Sequence, residues 1–526
     1  PPPPPPNPPP PLCRPPLEKN FFFNDTATTE IYTPQHSSAA SDVYKRQRLD
    51  SGSVKSSPVA ARSDESEAPL AVRRLGSIDE AYDSLPRFWD QVGVLYRNGE
   101  SAEMTPDPYL ASGAIPPLSS AFSDLSRQRD TLPALDPALC DGCGACWTRC
   151  PDGAVGAAAL TPRSVLDAAI ASTGADALRP LVSKLAARIS SQCSSPDAEA
   201  TNLGEHLNEA WSWLQEKMPL PAERRLGLSA AIEKLHETIA CLPAVATEPF
   251  FKDQEKPADG DPELLFLAIN PDTCKGCGIC VSACEPHALT PVAQSRKTLS
   301  DARRVWRAWE QLPDPLPGTL DKVAKEPRLG PLAATLLSRR DTASLVGGDS
   351  AEPGSGERLA LRLLMAVTES RQRPAVDAFV AEVRALKERV SGMIRDILAN
   401  ALPSDDLEAL ARGLETVESH QAELSDFIAT AERSVDSSID ARRLRRLVRL
   451  AQDLEDLVWR LDEGRHGLGR AQLGMVLTAE SVAAWAGVFP NNPFATPVTI
   501  DLSGDGSQLA IGLLEGQLRQ STDGLA

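Results

Sequence analysis

Eight of the eleven cysteines in this chain fall into two runs of identical spacing. The runs hold Cys140, Cys143, Cys146 and Cys150, and then Cys274, Cys277, Cys280 and Cys284. Both read C-x2-C-x2-C-x3-C, the spacing with which thiolates surround a [4Fe–4S] cube. The spacing therefore predicts two [4Fe–4S] clusters and a fold that brings both runs together.

Glycines lie between the first three cysteines of each run. Gly142, Gly144, Gly276 and Gly278 permit a positive φ, so that a tight loop can bring backbone N–H groups close to the sulfurs. We expect the fourth cysteine of each run to begin a helix that leads away, and therefore to ligate the other cube. The predicted ligand sets are Cys140, Cys143, Cys146 and Cys284 for one cluster, and Cys274, Cys277, Cys280 and Cys150 for the other.

Zinc and disulfides explain this pattern less well. Zinc needs four thiolates per site, typically as two separate C-x2-C pairs, which leaves the additional regularity unexplained. Disulfides are typical of short secreted chains, whereas this chain is long, has no readable signal peptide and groups its cysteines. Cys193 and Cys241 lie in apolar segments with helical periodicity, and we predict that both are buried free thiols.

Length and charge limit the class of protein. A chain of 526 residues suggests three or four domains. A formal net charge of −18 argues against a nucleic-acid partner, whose phosphates require basic patches. No segment approaches the roughly eighteen apolar residues of a membrane span. Because reduced thiols and oxygen-sensitive clusters need a reducing compartment, we expect a cytoplasmic protein.

Two segments near the N-terminus resemble translated sequencing adapters. Residues 24–33 read as the translation of a common sequencing-library adapter, and residues 37–47 as that of a transposase-type adapter. Before them, residues 1–16 contain twelve prolines. We therefore expect residues 1–47 to be non-native and disordered and exclude them from fold reasoning. We also expect the natural gene product to extend further upstream.

The apolar segments around the two cysteine runs repeat one another. They are residues 133–136 and 265–270 before the runs, and residues 154–160 and 288–292 after them. This order of strand, cluster loop, short helix and strand, repeated once, resembles a bacterial two-cluster ferredoxin. More than a hundred residues separate the two runs. The residues between the runs have helical periodicity at 164–191, 203–217 and 221–242, which predicts an independently packed helical insertion.

The predicted fold class is α+β and mostly helical. It comprises a two-cluster ferredoxin-like domain with a large helical insertion, then a long helical region, then a truncated α/β segment. The predicted boundaries are 48–70 for a flexible linker, 71–132 for a lead-in, 133–160 and 262–295 for the ferredoxin-like domain, 161–261 for the insertion, 296–345 for a helical connector, 346–470 for a helical arm and 471–526 for the start of a further domain.

The helical arm is predicted in more detail from its pattern. The glycines at 347–356 favour a linker over a phosphate-binding loop, and a helix follows at 358–368. Alternating charge and apolar periodicity predict three more helices at 375–400, 405–433 and 437–462, with a break at 401–404 around a proline.

Several of these segments together resemble the pyruvate (2-oxoacid):ferredoxin/flavodoxin oxidoreductases. Both cysteine runs are similar to the two-cluster domain that these thiamine-diphosphate enzymes carry as an insertion. Residues 109–118, Tyr-Leu-Ala-Ser-Gly-Ala-Ile-Pro-Pro-Leu, are similar to the lead-in of that domain. Gly354-Ser-Gly-Glu357 is similar to the Gly-Cys-Gly-Glu that opens the family's thiamine domain.

The resemblance implies further cofactor residues. Glu357 would face the thiamine diphosphate, although a glutamate is also favourable at any helix start. Asp505, in Gly504-Asp505-Gly506, would bind the Mg²⁺, although such a sequence is also a common turn. Ser355 stands where the family has a cysteine ligand of a third cluster, and no cysteine follows Cys284. The resemblance therefore implies thiamine diphosphate and Mg²⁺ only for the full-length protein, and it puts a third cluster in doubt.

The leading functional hypothesis is an electron relay within a 2-oxoacid oxidoreductase. The implied partners are a ferredoxin or flavodoxin acceptor and the remaining domains of the parent enzyme. The fragment lacks a complete active site in this interpretation, so we expect no 2-oxoacid turnover from it alone. The alternatives are a ferredoxin-like subunit of another redox complex, and a helical scaffold with structural clusters.

Equivalent positions in the two runs carry opposite charges. Asp141 follows the first cysteine of one run, and Lys275 follows the first cysteine of the other. A cation favours the more negative, reduced form of a cluster. We therefore predict a less negative reduction potential for the second cluster, which a Lys275→Glu variant would change.

Overall fold

The computed structural model describes residues 84–194, 202–218, 221–252, 262–401, 441–462, 474–478, 481–486, 488–501 and 503–523. The predicted segments 1–47 and 48–70 and the predicted helix 405–433 lie outside these ranges. The described part is mostly helical with small sheets, as an α+β class requires. None of its helices is both long and apolar enough to cross a membrane.

Eight strands form three sheets in the described part of the chain. The strands are β1 (Ala114–Ile115), β2 (Thr131–Leu135), β3 (Val155–Leu160), β4 (Ala244–Val245), β5 (Leu264–Ile269), β6 (Leu289–Ala293), β7 (Met475–Thr478) and β8 (Val498–Asp501). The three sheets have the orders β1-β8-β7, β2-β6 and β3-β5-β4.

The helices lie between and after these strands. Up to the second cysteine run they are α1 (Leu85–Phe88), α2 (Val94–Arg97), α3 (Pro108–Ser112), α4 (Ala145–Arg149), α5 (Pro162–Thr173), α6 (Val182–Cys193), α7 (Leu203–Lys217) and α8 (Ala222–Ile239). From that run onwards they are α9 (Ile279–Ser282), α10 (Arg296–Glu310), α11 (Pro317–Lys325), α12 (Gly330–Thr335), α13 (Arg339–Thr342), α14 (Gly356–Ala401), α15 (Ala441–Asp462), α16 (Ser481–Ala486) and α17 (Gly506–Asp523).

The strands around the two cysteine runs pair across the repeat. Strand β2, before the first run, is antiparallel to β6, after the second, with Leu132 opposite Val292. Strand β3, after the first run, is antiparallel to β5, before the second, with Leu160 opposite Leu264. The predicted strands are therefore present. Their crossed pairing brings the two runs into one unit.

The alternation of side chains along β3 and β5 gives this sheet two different cores. Ala158 and Phe266 face the helices of the insertion, whereas Ala157 and Leu265 face the cysteine runs. A sheet that is apolar on both faces needs a cover on both. The expectation that the insertion packs independently is therefore wrong, because α5, α6, α7 and α8 share a core with the sheet.

The two cysteines of the insertion differ in exposure. Cys193, at the end of α6, is buried, and burial raises the pKa of its thiol to about 12. Cys241, after α8, is only half-buried, so the expectation of a buried thiol is wrong there. Both are free thiols, as predicted.

Helix α14 is longer than the sequence suggests. The helices predicted at 358–368 and 375–400 form one helix of 46 residues that runs through Pro374. A proline in a helix interior costs about 3 kcal/mol. Here packing holds the helix on both sides, since Ala366 is buried before the proline and Val383 after it. Beyond this point α14 packs against α15 through a cluster that includes Val390 and Leu454.

The third sheet joins the lead-in to the C-terminal segment. Strands β7 and β8 are parallel, as in an α/β unit, and β1 adds to β8 in antiparallel orientation. The buried Asn492 side chain fixes this contact, because its amide donates to the carbonyl oxygens of Ile115 at 3.2 Å and Thr496 at 2.9 Å. The predicted domain boundaries stay predictions.

Candidate iron–sulfur site

The two cysteine runs adopt the same local structure. Gly142, Gly144, Gly276 and Gly278 have φ values of 72°, 78°, 68° and 75°, which confirms the predicted left-handed conformations. At Gly142 a Cβ would also lie 2.6 Å from the Thr247 hydroxyl oxygen. The backbone N–H group of Gly276 donates to the Cys274 sulfur at 3.5 Å, as expected, and that of Gly142 opposes the rise in the pKa of Cys140.

The fourth cysteine of each run follows a short helix. Helix α4 begins after Gly144 and its C-cap is Cys150, whose backbone is extended at ψ 112°. Helix α9 likewise ends before Cys284. The expectation that these cysteines begin a helix is therefore wrong. The residue before a proline avoids the helical conformation, and Pro151 follows Cys150 directly.

The cysteines interact across the two runs. The thiol of Cys284 acts electrostatically on Cys140 and Cys143. The thiol of Cys150 acts in the same way on Cys274 and Cys280. One cavity, moreover, is lined by four sulfur-bearing side chains, those of Cys150, Cys274, Cys277 and Cys280.

The thiols are in an environment that suits a positively charged iron–sulfur core. Burial, with a smaller contribution from neighbouring thiolates, raises the pKa of Cys140 and Cys274 to about 11 and that of Cys280 to about 12. Several thiolates forced together repel one another, and a bound cationic core removes this repulsion. The donor set therefore fits a cluster of the predicted kind.

No group of three or more His, Cys, Asp or Glu side chains in the described ranges converges on the position of a single metal ion. In a cube each thiolate binds its own iron, so the sulfurs stand around the core rather than around one ion.

Lys275 lies in a buried ion network. Its ammonium group is 2.9 Å from a carboxylate oxygen of Asp152 and 3.0 Å from one of Asp349, and it donates to the Ala351 carbonyl at 2.7 Å. Arg358 also pairs with Asp349 at 2.6 Å and lies 3.3 Å from Asp152. Two carboxylates thus balance two cations. This removes the reason for which Lys275 was expected to raise the potential of the second cluster.

The aspartate at the equivalent position of the first run has a different setting. Asp141 is partly exposed and forms an ion pair with Arg328 at 3.0 Å, near the surface. Its carboxylate also accepts a hydrogen bond from the Cys143 backbone N–H at 3.2 Å, and its charge helps to raise the pKa of the Cys140 and Cys143 thiols.

The glycine-rich segment 347–356 is packed against the second cysteine run. At Gly347 a Cβ would lie 2.5 Å from Thr273, and at Gly348, where φ is 99°, it would lie 2.0 Å from the Ser120 carbonyl oxygen. At Gly354 it would lie 3.7 Å from the Cβ of Cys277. The interpretation as a linker is therefore wrong, since these glycines permit close packing of the backbone beside the site.

Two arginines beside the cysteines were not predicted. Arg129 donates to the carbonyl oxygen of Cys274 and, at 2.5 Å, to that of Pro271. Arg362, in α14, donates to the carbonyl oxygens of Trp147 at 2.9 Å and Cys150 at 3.1 Å. A sequence signal for the second existed, because Arg358 and Arg362 lie four residues apart among apolar residues and so share one helix face.

The structure places the other two predicted site residues at helix starts. Glu357, at the start of α14, is exposed and accepts a hydrogen bond from the Trp485 indole at 3.2 Å. Asp505 precedes α17 and is exposed, and its carbonyl oxygen accepts the first hydrogen bonds of that helix. Neither contact tests the predicted cofactor roles.

Comparison with known sequences agrees with this geometry. The 4Fe–4S binding domain family matches residues 133–155 and residues 267–290, which contain the two cysteine runs. No curated protein matches the chain. The chain therefore carries a ferredoxin-type iron–sulfur domain, whose chemistry is electron transfer through bound [4Fe–4S] clusters.

Proposed function

We propose that this domain holds two clusters and relays electrons within a 2-oxoacid:ferredoxin or flavodoxin oxidoreductase. The single observation that carries the relay is that the fourth cysteine of each run interacts with cysteines of the other run. Cys284 lies beside the first run, and Cys150 lies beside the second. The thiolates of Cys140, Cys143, Cys146 and Cys284 would hold one cluster, and those of Cys274, Cys277, Cys280 and Cys150 the other.

A bound cluster accepts and donates single electrons. Three features of this chain's own residues support a relay through two such clusters. The crossed pairing of β2 with β6 and β3 with β5 fixes the two sites relative to each other. Cys150, Cys274 and Cys280 are buried, and the Gly276 backbone N–H directed at the Cys274 sulfur stabilises negative charge there.

The role in a 2-oxoacid oxidoreductase rests on the sequence resemblance and on the packing of the segment before α14. In the family this segment leads into the thiamine domain, and here Gly354 and Ser355 directly precede α14 beside the second run. Thiamine diphosphate and Mg²⁺ would belong to the intact protein, with Glu357 and Asp505 as candidate contacts.

Single cysteine variants test the exchange of ligands. The Cys150→Ser variant should weaken the same cluster as Cys274→Ser, and Cys284→Ser should weaken the same cluster as Cys140→Ser. Cys193→Ser is the matched control, because Cys193 is also buried but lies in the insertion. The readout is iron content with the paramagnetic spectrum of the reduced protein. Loss of the same signal in Cys150→Ser and Cys140→Ser would contradict the assignment.

Electron delivery tests the relay itself. The chain is reduced anaerobically with dithionite, freed of excess reductant and mixed with oxidised ferredoxin or flavodoxin. We expect the visible absorbance of the oxidised clusters to return as the acceptor is reduced. An absence of reversible low-potential paramagnetic signals would instead support purely structural clusters.

A variant of Glu357 tests the link to a 2-oxoacid. In the intact protein with thiamine diphosphate and Mg²⁺, Glu357→Gln should abolish reduction of the clusters by pyruvate and leave reduction by dithionite unchanged. Unimpaired reduction by pyruvate would refute the role of Glu357.

A further inference from the structure

Arg362 is a fully buried cation beside one of the predicted ligands. Its side chain has no exposed surface, although it lies only six residues from the start of α14. Burial lowers the pKa of its guanidinium to about 10, which still leaves it charged at neutral pH. Placing an arginine in such a site is strongly unfavourable unless negative charge lies nearby.

Backbone contacts use only part of this guanidinium. Nη1 donates to the Trp147 and Cys150 carbonyl oxygens, at the end of helix α4, where a cation is favourable. Nε and Nη2 are buried and have no hydrogen-bond partner among the residues that the structure describes. A role in capping α4 therefore accounts for one of the three nitrogens.

The neighbouring carboxylates are already paired. Asp152 is close enough to attract Arg362, but it forms ion pairs with Lys275 and Arg358. Asp349 pairs with the same two cations, and the charges of Arg358 and Lys275 outweigh burial and lower its pKa. This network is balanced without Arg362.

Two buried arginines act on cysteines of the second site. For Arg129 the strongest attraction comes from the Cys274 thiolate, followed by Asp124 and Asp272, which pair with Arg303 at 3.2 Å and 2.7 Å. For Arg362 the strongest attraction comes from the Cys150 thiolate. A cluster ligand is therefore the main counter-charge of both arginines, and Arg362 is the one of the two whose side chain has no exposed surface.

Resting on the proposed function, we propose that Arg362 is the counter-ion of the cluster held by Cys150, Cys274, Cys277 and Cys280. Its charge makes this cluster easier to reduce than the other one. Four thiolates give a cluster a net negative charge, which grows by one on reduction. A fixed, buried cation stabilises the reduced form more than the oxidised form, since it acts at low effective dielectric.

Arg362 thus adjusts the reduction potential of a cluster in the electron path. With the charge of Lys275 balanced, Arg362 acts together with Arg129 to make the second site the more positive of the two. An electron that enters the relay then resides on the cluster of the second run.

The test is an anaerobic redox titration of the full chain, monitored by the paramagnetic signals of both clusters. Arg362→Gln should lower the equilibrium constant for reduction of one cluster about tenfold, a shift of about 59 mV to more negative potential. The affected cluster should be the one that Cys150→Ser removes. Arg149→Gln is the matched control, because Arg149 directly precedes Cys150 but is exposed, and neither potential should change.

The charge-conserving Arg362→Lys variant separates charge from shape. It should keep both potentials close to those of the wild type. If Arg362→Gln retains about four irons instead of about eight, full iron content in Arg362→Lys supports the proposal, and loss of iron in both variants overturns it.

Unchanged potentials in an Arg362→Gln variant with full iron content also overturn the proposal and leave the proposed function intact. Wild-type protein without iron and sulfide would refute the proposed function itself.

Discussion

Replacing Lys275 with methionine should destabilise the protein by about 3–5 kcal/mol, because removing one partner of a buried ion pair leaves an uncompensated charge. The Lys275 side chain is 4% exposed and lies about equally close to Asp152 and Asp349. Without it, Arg358 alone faces two buried carboxylates. Because the unfolding entropy grows with chain length, a chain of this size loses roughly 1–2 °C per kcal/mol, and the loss corresponds to a fall of about 3–10 °C in the melting temperature.

The assay is thermal unfolding of the anaerobic, iron-loaded chain, followed by far-ultraviolet circular dichroism at one scan rate. A single scan rate matters because proteins of this size often unfold irreversibly. Lys297→Met is the matched control. Lys297 is exposed on α10, and its loss should change stability by no more than about 0.5 kcal/mol.

A second substitution tests whether charge imbalance is the cause. In Lys275→Met with Asp349→Asn, one cation again faces one carboxylate, and the amide oxygen can still accept the hydrogen bond from Ala351 N–H. The double variant should therefore melt above the single Lys275→Met variant. A single variant that melts with the wild type, or a double variant that melts below the single one, would refute the reasoning.

Two further predictions concern packing and pH. In Gly156→Ala the new Cβ would lie 2.8 Å from the rings of both Trp306 and Trp309, which should cost about 1–3 kcal/mol. In Gly227→Ala, in α8, the new Cβ would have no atom within 4 Å, so this variant should instead stabilise the helix by about 0.5–1 kcal/mol. Shifts of the melting temperature in the same direction for both variants would contradict this contrast. Burial raises the pKa of Asp341 to about 7, so its stabilising contribution is complete below its ordinary pKa and is lost as pH rises through 7. Asp341→Asn should therefore gain stability relative to the wild type as the pH rises from the ordinary aspartate pKa to about 7, by at most about 1.4 kcal/mol per pH unit. An equal difference in melting temperature between the variant and the wild type at about pH 5 and about pH 8 would contradict this prediction.

The parts of the site that depend on local sequence were predictable. The spacing of the cysteines, the glycines between them and the apolar segments around them lie within about twenty residues of one another, so periodicity and spacing carry the information. The structure agrees at Gly142 and Gly276 and in strands β3 and β5.

The parts that depend on distant contacts were not predictable. Lys275 meets Asp349 across 74 positions, and Arg362 meets Cys150 across 212. No local pattern encodes such pairs. The same limit explains the linker predicted around Gly347, because a glycine that permits close packing and a glycine that permits flexibility look identical in sequence.

Local rules also failed where tertiary packing outweighed them. Pro374 predicts a helix break, yet buried residues on both sides hold α14 together. The insertion has the periodicity of an independent helical unit, yet its apolar faces cover β3 and β5. In both cases the deciding free energy comes from burial against distant segments.

Iron and acid-labile sulfide analysis of the anaerobically purified chain tests the central claim most directly. Two [4Fe–4S] clusters predict about eight irons and about eight sulfides per chain, falling to about four of each when the cysteines of one set are replaced by serine. About two zinc ions per chain without sulfide would contradict the account.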